Sequence, residues 1–105
     1  MNYGITEKSF RLILEGLNHY PEIEKALIFG SRAIGNYKNG SDIDLALYGS
    51  GVTEETIRGL RTRLNEELPI PYYFDIIHYE NINNQELKEH IDTMGKMFYT
   101  RRILI

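Results

Sequence analysis

The sequence contains no cysteine. This absence excludes disulfide bonds, thiolate metal sites and a cysteine nucleophile, and it is compatible with a reducing compartment. The chain also lacks a basic segment followed by an apolar run near its first residue, which a signal peptide would need. No apolar stretch is long enough to span a bilayer. We therefore expect a soluble protein of the cytoplasm that makes no contact with a membrane.

Positive charge is also scarce. The 12 Lys and Arg residues are outnumbered by 15 Asp and Glu residues, which gives a net charge of −3. A protein that binds nucleic acid through its phosphates needs a basic surface, so direct binding to nucleic acid is not expected. The length of 105 residues is typical of one domain, and we assign residues 1–105 to a single unit.

Three stretches of alternating or mostly apolar residues predict β-strands. They cover residues 24–29, 42–48 and 72–78. The connection between the first two, Asn36–Ser41, is short and polar and favours an antiparallel pair, whereas the third strand follows a helical segment. The apolar and basic tail, Met97–Ile105, could form a short edge strand or bind a partner.

Apolar residues recur at helical spacing in three further segments, each preceded by a residue that can accept a hydrogen bond from the first turn. The predicted capping residues are Thr6, Thr53 and Asn84. The apolar positions expected to face the core are Phe10, Ile13, Leu14 and Leu17 in the first helix, Ile57, Leu60, Leu64 and Leu68 in the second, and Leu87, Ile91 and Met94 in the third. These elements predict an α+β fold, in which a small mixed sheet carries helices mainly on one face.

Three aspartates lie within the predicted strands. Asp42 and Asp44 are two residues apart, so both side chains point to the same face of a strand, and Asp75 interrupts the apolar third strand. If the third strand neighbours the second, the three carboxylates come together. Such like charges repel one another, and their oxygen atoms suit Mg²⁺. Three carboxylates can hold two divalent ions about 3.5–4 Å apart for phosphoryl transfer, with Asp75 accepting the proton of an attacking hydroxyl group.

A glycine and a serine end the first predicted strand. Gly30 lets a phosphate group approach the backbone closely. Ser31 and the short helical turn after it offer a hydroxyl and backbone amides to phosphate oxygens. Arg32, or Lys38 from the next turn, would add positive charge. The pattern predicts a site for the triphosphate of a nucleotide.

Together these residues resemble a known family. Gly30-Ser31, followed by ten residues and then Asp42-Ile43-Asp44, is similar to the signature of the minimal nucleotidyltransferase (MNT) domain of the polymerase-beta-type nucleotidyltransferase superfamily. Asp75 matches the third acid of that pattern, and the resemblance covers roughly residues 10–100. Ile34 stands where this family often has a second arginine.

The resemblance implies an enzyme with a nucleotidyltransferase fold that transfers a nucleoside monophosphate, usually AMP from ATP, to a hydroxyl group. It implies that Asp42, Asp44 and Asp75 bind two Mg²⁺ ions and that the nucleotide is bound by Gly30, Ser31 and Arg32. Short members of this group are commonly paired with a small, all-helical HEPN-type ribonuclease toxin. The MNT protein is then the antitoxin, and some members adenylylate a tyrosine of the toxin.

Two other functions stay open at this point. The protein could neutralise a partner by contact alone, with a vestigial site, or transfer a nucleotide to a small molecule with the help of a second copy of the chain. Individual residues also have simpler explanations. Asp75 could form a salt bridge, and His19, His78 and His90 could be ordinary surface or core-edge histidines. The sequence leaves the acceptor, the preferred base and the oligomeric state open.

Overall fold

The computed structural model of the protein describes residues 2–101. Four helices and four strands follow one another in this part of the chain: α1 (Glu7–Asn18), β1 (Lys25–Phe29), α2 (Ser31–Ile34), β2 (Ile43–Tyr48), α3 (Glu54–Thr62), β3 (Phe74–His78), α4 (Gln85–Met94) and β4 (Lys96–Thr100). A π-helical turn, Arg63–Glu67, extends α3 toward the prolines that stop it. In the described residues, no helix is both long enough and apolar enough to cross a membrane.

The four strands form one mixed sheet in the order β3-β2-β1-β4. Strand β1 lies between β2 and β4 and is antiparallel to both, and β2 is parallel to β3. The predicted antiparallel pairing of the first two strands is therefore confirmed. The parallel pair is possible because α3 carries the chain back across the sheet between β2 and β3.

The three predicted helix starts are confirmed. In each case the side chain of the capping residue accepts a hydrogen bond from an amide of the first turn, as Thr6 does from Ser9, Thr53 from Thr56 and Asn84 from Leu87. Such a cap satisfies an amide that the helix itself cannot, and it stabilises a helix by about 1 kcal/mol.

One face of the sheet, which we call the core face, packs against α1 and α3. The alternate residues Ile43, Leu45 and Leu47 of β2 point to this side and are fully buried. The helices contribute buried residues that match the predicted apolar positions, among them Ile13, Leu17, Ile57, Leu60 and Leu64. The α+β class, with helices mainly on one face of a small mixed sheet, is confirmed.

The opposite face, which we call the acid face, carries the other half of each strand and is partly covered by α4. Phe29, Ala46 and Ile91 form a small buried cluster there. Met94, which was predicted to face the core, is instead 38% exposed. That prediction is wrong because Met94 is the last residue of α4, where the chain turns through Gly95 into an edge strand.

The end of the described chain is held by backbone hydrogen bonds. β4 forms the short edge strand that was one of the two interpretations of the tail. Beyond it, the Arg101 amide donates to the carbonyl of Glu24, and its guanidinium donates to the carbonyls of Asn18 and Tyr20. The rest of the predicted tail, residues 102–105, lies outside the described residues.

The other edge strand, β3, has much of its outer backbone paired by side chains. The Asn65 side chain accepts from the Phe74 amide at 2.8 Å and donates to the Phe74 carbonyl at 3.4 Å. Arg61 donates to the carbonyl of Ile76 at 3.4 Å. The π-helical turn and the end of α3 thus cover this edge of the sheet.

Candidate active site

The aspartates lie at one end of the acid face, which we call the acid end. In the register of β2 and β3, Asp44 stands beside Asp75. In the register of β1 and β2, Asp44 stands beside Phe29, the residue that precedes Gly30. Asp42 comes directly before β2 and is exposed. The strand order therefore brings the Gly-Ser turn and the acids of β2 and β3 to the same end of the sheet.

Gly30 is in direct contact with this end of β2. Its φ of +75° lies in the left-handed region, which side chains other than glycine rarely adopt. A Cβ atom at this position would also overlap the carboxylate of Asp44. The positive φ strongly favours glycine here, and the absent side chain lets the turn lie against Asp44.

The turn after Gly30 forms the short helix α2. The Gly30 carbonyl accepts hydrogen bonds from the amides of Ala33 at 3.1 Å and Ile34 at 3.2 Å. The amides of Ser31 and Arg32 precede these and donate to no acceptor in residues 2–101. Together with the Ser31 hydroxyl they are donors of the kind that a phosphate group would use.

The three carboxylates repel one another. The pKa of Asp44 is raised from 3.8 to about 6, first by partial burial and then by the charges of Asp75 and Asp42, while Arg32 opposes the shift. Across residues 2–101 the salt bridges lie elsewhere, so the interpretation of Asp75 as a salt-bridged residue finds no support there. The acid end holds negative charge that the neighbouring side chains do not pair.

This donor set fits a hard divalent cation. Carboxylate oxygens are the ligands that Mg²⁺ prefers, and a cation between Asp44 and its neighbours would relieve the repulsion that raises the pKa of Asp44. Within the described part of the chain, no three His, Asp or Glu side chains are already gathered tightly enough to hold an ion. Asp42, Asp44 and Asp75 would therefore have to close around it.

Arg32 lies beneath the turn rather than on it. Its side chain is almost fully buried, with only 2% of the residue exposed. The guanidinium donates to the Ser41 carbonyl from Nε at 3.0 Å and from Nη2 at 2.8 Å, and to the Tyr3 carbonyl at 2.9 Å. It also packs against the rings of Tyr37 and Tyr72, with its central carbon 5.0 and 4.9 Å from the ring centres.

These contacts give Arg32 a different part from the phosphate ligand predicted from sequence. The guanidinium donates its hydrogen bonds to backbone carbonyls. One of these carbonyls is that of Ser41, the residue before Asp42. Arg32 therefore fixes the start of β2. The alternative source of charge, Lys38, is exposed in the loop before β2. Ile34, at the position of the family's second arginine, is 47% exposed.

His90 is a residue of this site that the sequence did not reveal. It lies on α4, and its Nε2 accepts a hydrogen bond from the amide of Gly30 at 3.1 Å. Its ring also meets the Phe29 ring edge-on, with the centres 6.1 Å apart. Only its place beside the buried Ile91 could have indicated that it faces the sheet.

Comparison with known proteins bears on the family and the fold of this chain. A family model described as polymerase beta nucleotidyltransferase matches residues 12–103. Comparison with curated protein sequences gives no match.

Several solved structures with the same fold come from toxin–antitoxin systems. A toxin–antitoxin structure with AMP-PNP is 21% identical, with a TM-score of 0.71 over 89% of this chain and 74% of that chain. The toxin–antitoxin MntA–HepT is 18% identical, with a TM-score of 0.67 over 91% and 74%.

A third structure contains the tri-AMPylated HEPN toxin of Shewanella oneidensis in complex with its MNT antitoxin. It is 18% identical, with a TM-score of 0.67 over 90% of this chain and 72% of that chain. At these identities the similarity establishes the nucleotidyltransferase fold. Because the family model spans most of the sequence, the chain belongs to the polymerase beta nucleotidyltransferase family.

Proposed function

We propose that the protein is a Mg²⁺-dependent nucleotidyltransferase that transfers AMP from ATP to a hydroxyl group of a partner protein. The observation that carries the proposal is the acid end, where Asp44 lies between Asp75 on β3 and the Gly30 turn after β1. Acids that could hold metal ions thus face amides that could hold a triphosphate. Family membership supports a transferase of this kind.

The proposed reaction divides the site into two sides. On the β1 side, the amides and hydroxyl of the Gly30–Ser31 turn hold the phosphates of ATP. On the β3 side, Asp75 accepts the proton of the acceptor hydroxyl. The hydroxyl oxygen forms a bond to the α-phosphorus of ATP, the bond from that phosphorus to the bridging oxygen breaks, and pyrophosphate leaves.

Asp42, Asp44 and Asp75 would hold the two metal ions. When bound, Mg²⁺ polarises the phosphate oxygens and offsets the charge that develops on the leaving group. The raised pKa of Asp44 affects this step, because its carboxyl group must lose a proton to bind metal. Arg32 contributes by fixing the Ser41 carbonyl and hence the approach of Asp42 to the site.

For the partner we propose a small helical HEPN-type toxin, with this chain as its antitoxin. The support comes from the similar structures, which include a toxin–antitoxin structure with AMP-PNP and an AMPylated HEPN toxin in complex with an MNT antitoxin. ATP is abundant in the cytoplasm, and the proposal sets the reaction there.

Incubation with Mg²⁺, ATP radiolabelled at its α-phosphate and a HEPN-type protein encoded beside this chain tests this function. We expect label on that protein and none with Asp42→Asn/Asp44→Asn. Asp92→Asn is the matched control because Asp92 is an exposed acid on α4 that accepts a hydrogen bond from the Tyr79 hydroxyl. Equal labelling by the wild type and the double variant, or no labelling by either, would contradict the proposed catalysis.

A second candidate, neutralisation by contact alone, is favoured by one observation. Two positions after Gly30 could place an arginine near the phosphates. At the first, Arg32 is buried, and at the second, Ile34 is apolar. The nucleotide side of the site therefore has little positive charge. Protection of cells from the toxin separates the two functions: full protection by the Asp42→Asn/Asp44→Asn variant means contact, and lost protection means catalysis.

A further inference from the structure

The amide of Gly30 has an unusual acceptor. Gly30 follows the last paired residue of β1, so the sheet supplies no carbonyl to its amide. The acceptor is Nε2 of His90, at 3.1 Å and 60 residues further along the chain. An imidazole on α4, the helix that covers part of the acid face, thus accepts the hydrogen bond of the Gly30 amide.

Gly30 is held on three sides. Its carbonyl accepts from the amides of Ala33 and Ile34, its Cα lies against the carboxylate of Asp44, and its amide donates to His90. A glycine with a positive φ is otherwise free to adopt many conformations. The peptide unit after Gly30 determines where the Ser31 amide points, so each of these contacts orients the phosphate-binding donors.

We propose that His90 is a positioning residue, which orients the Gly30–Ser31 turn for the phosphates of the nucleotide. The inference rests on the proposed function, in which this turn binds ATP. The contact requires the neutral imidazole with its proton on Nδ1, because Nε2 must keep its lone pair to accept from the amide.

A packing role predicts something different. The His90 ring also contacts the Phe29 ring, 6.1 Å between centres, so any aromatic side chain would preserve that contact. Only a side chain with an acceptor atom would preserve the hydrogen bond to Gly30. The variants His90→Phe and His90→Gln therefore separate the ring from the acceptor.

The experiment is calorimetric titration of the wild type and both variants with Mg²⁺·AMP-PNP, together with thermal unfolding. We expect His90→Phe to raise Kd about three- to tenfold, the effect of one lost hydrogen bond, and His90→Gln to restore Kd to within about twofold of the wild type. The control is His19→Phe, because His19 is exposed at the end of α1. It should leave Kd unchanged.

Each other outcome overturns the inference. An unchanged Kd in His90→Phe with a lower melting temperature would mean that His90 only packs. Tighter binding by His90→Phe would mean that the imidazole competes with phosphate for the Gly30 amide. Failure of the wild type to bind Mg²⁺·AMP-PNP would remove the proposed function, and with it the site that His90 is proposed to orient.

Discussion

The two ends of the acid face differ in whether their charged side chains have a stabilising neighbour. At the far end from the aspartates, which we call the tyrosine end, Tyr48 and Tyr79 stack with their ring centres 4.3 Å apart. Lys25 lies over Tyr48 at 4.6 Å and Lys88 over Tyr79 at 5.3 Å. Each lysine charge at this end therefore has an aromatic neighbour from the protein itself.

The acid end lacks such compensation. In the described part of the chain no cationic side chain pairs with Asp44 or Asp75, and the pKa of Asp44 rises to about 6 as a result of burial and repulsion. The tyrosines also have raised pKa values: burial is the main cause for Tyr48, whose pKa rises to about 12, and the hydrogen bond to Asp92 is the main cause for Tyr79. These changes leave both tyrosines neutral. The comparison indicates that the tyrosine end contributes to the fold, whereas the acid end keeps unpaired carboxylates that the proposed function assigns to a cation.

The largest expected effect tests the acid end directly. Asp75→Asn removes the proposed proton acceptor and a proposed metal ligand, so we expect kcat for AMP transfer to fall by about 10²–10⁴-fold. Single-turnover assays measure this rate. Asp92→Asn, at an exposed position on α4, should keep the wild-type rate. Equal rates for Asp75→Asn and the wild type would assign the proton transfer to another group.

The next largest effect is expected for Arg32, whose buried side chain fixes the start of β2 beside the acid end. Arg32→Met leaves the carbonyls of Ser41 and Tyr3 without their donor, and we expect a loss of about 2–4 kcal/mol in the free energy of unfolding. Arg11→Met is the control, since the Arg11–Glu7 pair is exposed and such pairs contribute about 0.5 kcal/mol. Urea denaturation measures both. Similar losses in the free energy of unfolding for Arg32→Met and Arg11→Met would contradict the inference that Arg32 stabilises the fold through the carbonyls of Ser41 and Tyr3.

A pH effect follows from Asp44. Its folded-state pKa of about 6 exceeds the ordinary 3.8, so the protonated form stabilises the fold, and this stabilisation is lost as the pH rises through about 6. Without metal, Asp44→Asn should therefore raise the melting temperature by a few degrees at pH 8. The gain should shrink at pH 5.

Adding Mg²⁺ to the same thermal unfolding experiment tests whether Asp44 binds the metal ion. At pH 8 it should raise the melting temperature of the wild type and leave Asp44→Asn nearly unchanged. A stabilisation by Asn that is independent of pH would show that repulsion at Asp44 is not its cause. Thermal unfolding at the two pH values, with and without Mg²⁺, provides all the readings.

The smallest effect is expected at the tyrosine end. Tyr79→Phe keeps the stacked ring and removes the hydrogen bond to Asp92, which is the main cause of the raised pKa of Tyr79. We expect a slight fall in melting temperature, with AMP transfer and the response to Mg²⁺ both unchanged. A loss of AMP transfer in Tyr79→Phe would contradict the comparison, because the tyrosine end would then also take part in the reaction.

Features that depend on neighbouring residues in the chain were predicted well. Capping at Thr6, Thr53 and Asn84 and the alternation of β2 are local properties, and all are present. The approach of Asp75 to Asp44 required one further assumption, that β3 neighbours β2. The register supports it, because an intervening helix returns the chain in parallel.

Features that depend on distant segments were missed. Arg32 follows the Gly-Ser pair and was assigned to phosphate, yet its environment is assembled from the segments of Tyr3, Ser41 and Tyr72. The contact between His90 and Gly30 joins the third predicted helix to the end of the first predicted strand, and no spacing in the sequence encodes it. The site residues themselves remain predictions until metal or nucleotide binding is measured.

The side chains that cover the outer edge of β3 limit the directions from which a protein can approach the acid end. Asn65 and Arg61 occupy backbone groups of β3 that an incoming extended segment would need. A partner cannot simply add a strand beside Asp75 without displacing them. In the proposed reaction the acceptor hydroxyl would then reach Asp75 from above the sheet, and the same contacts oppose the joining of two copies of this chain through β3.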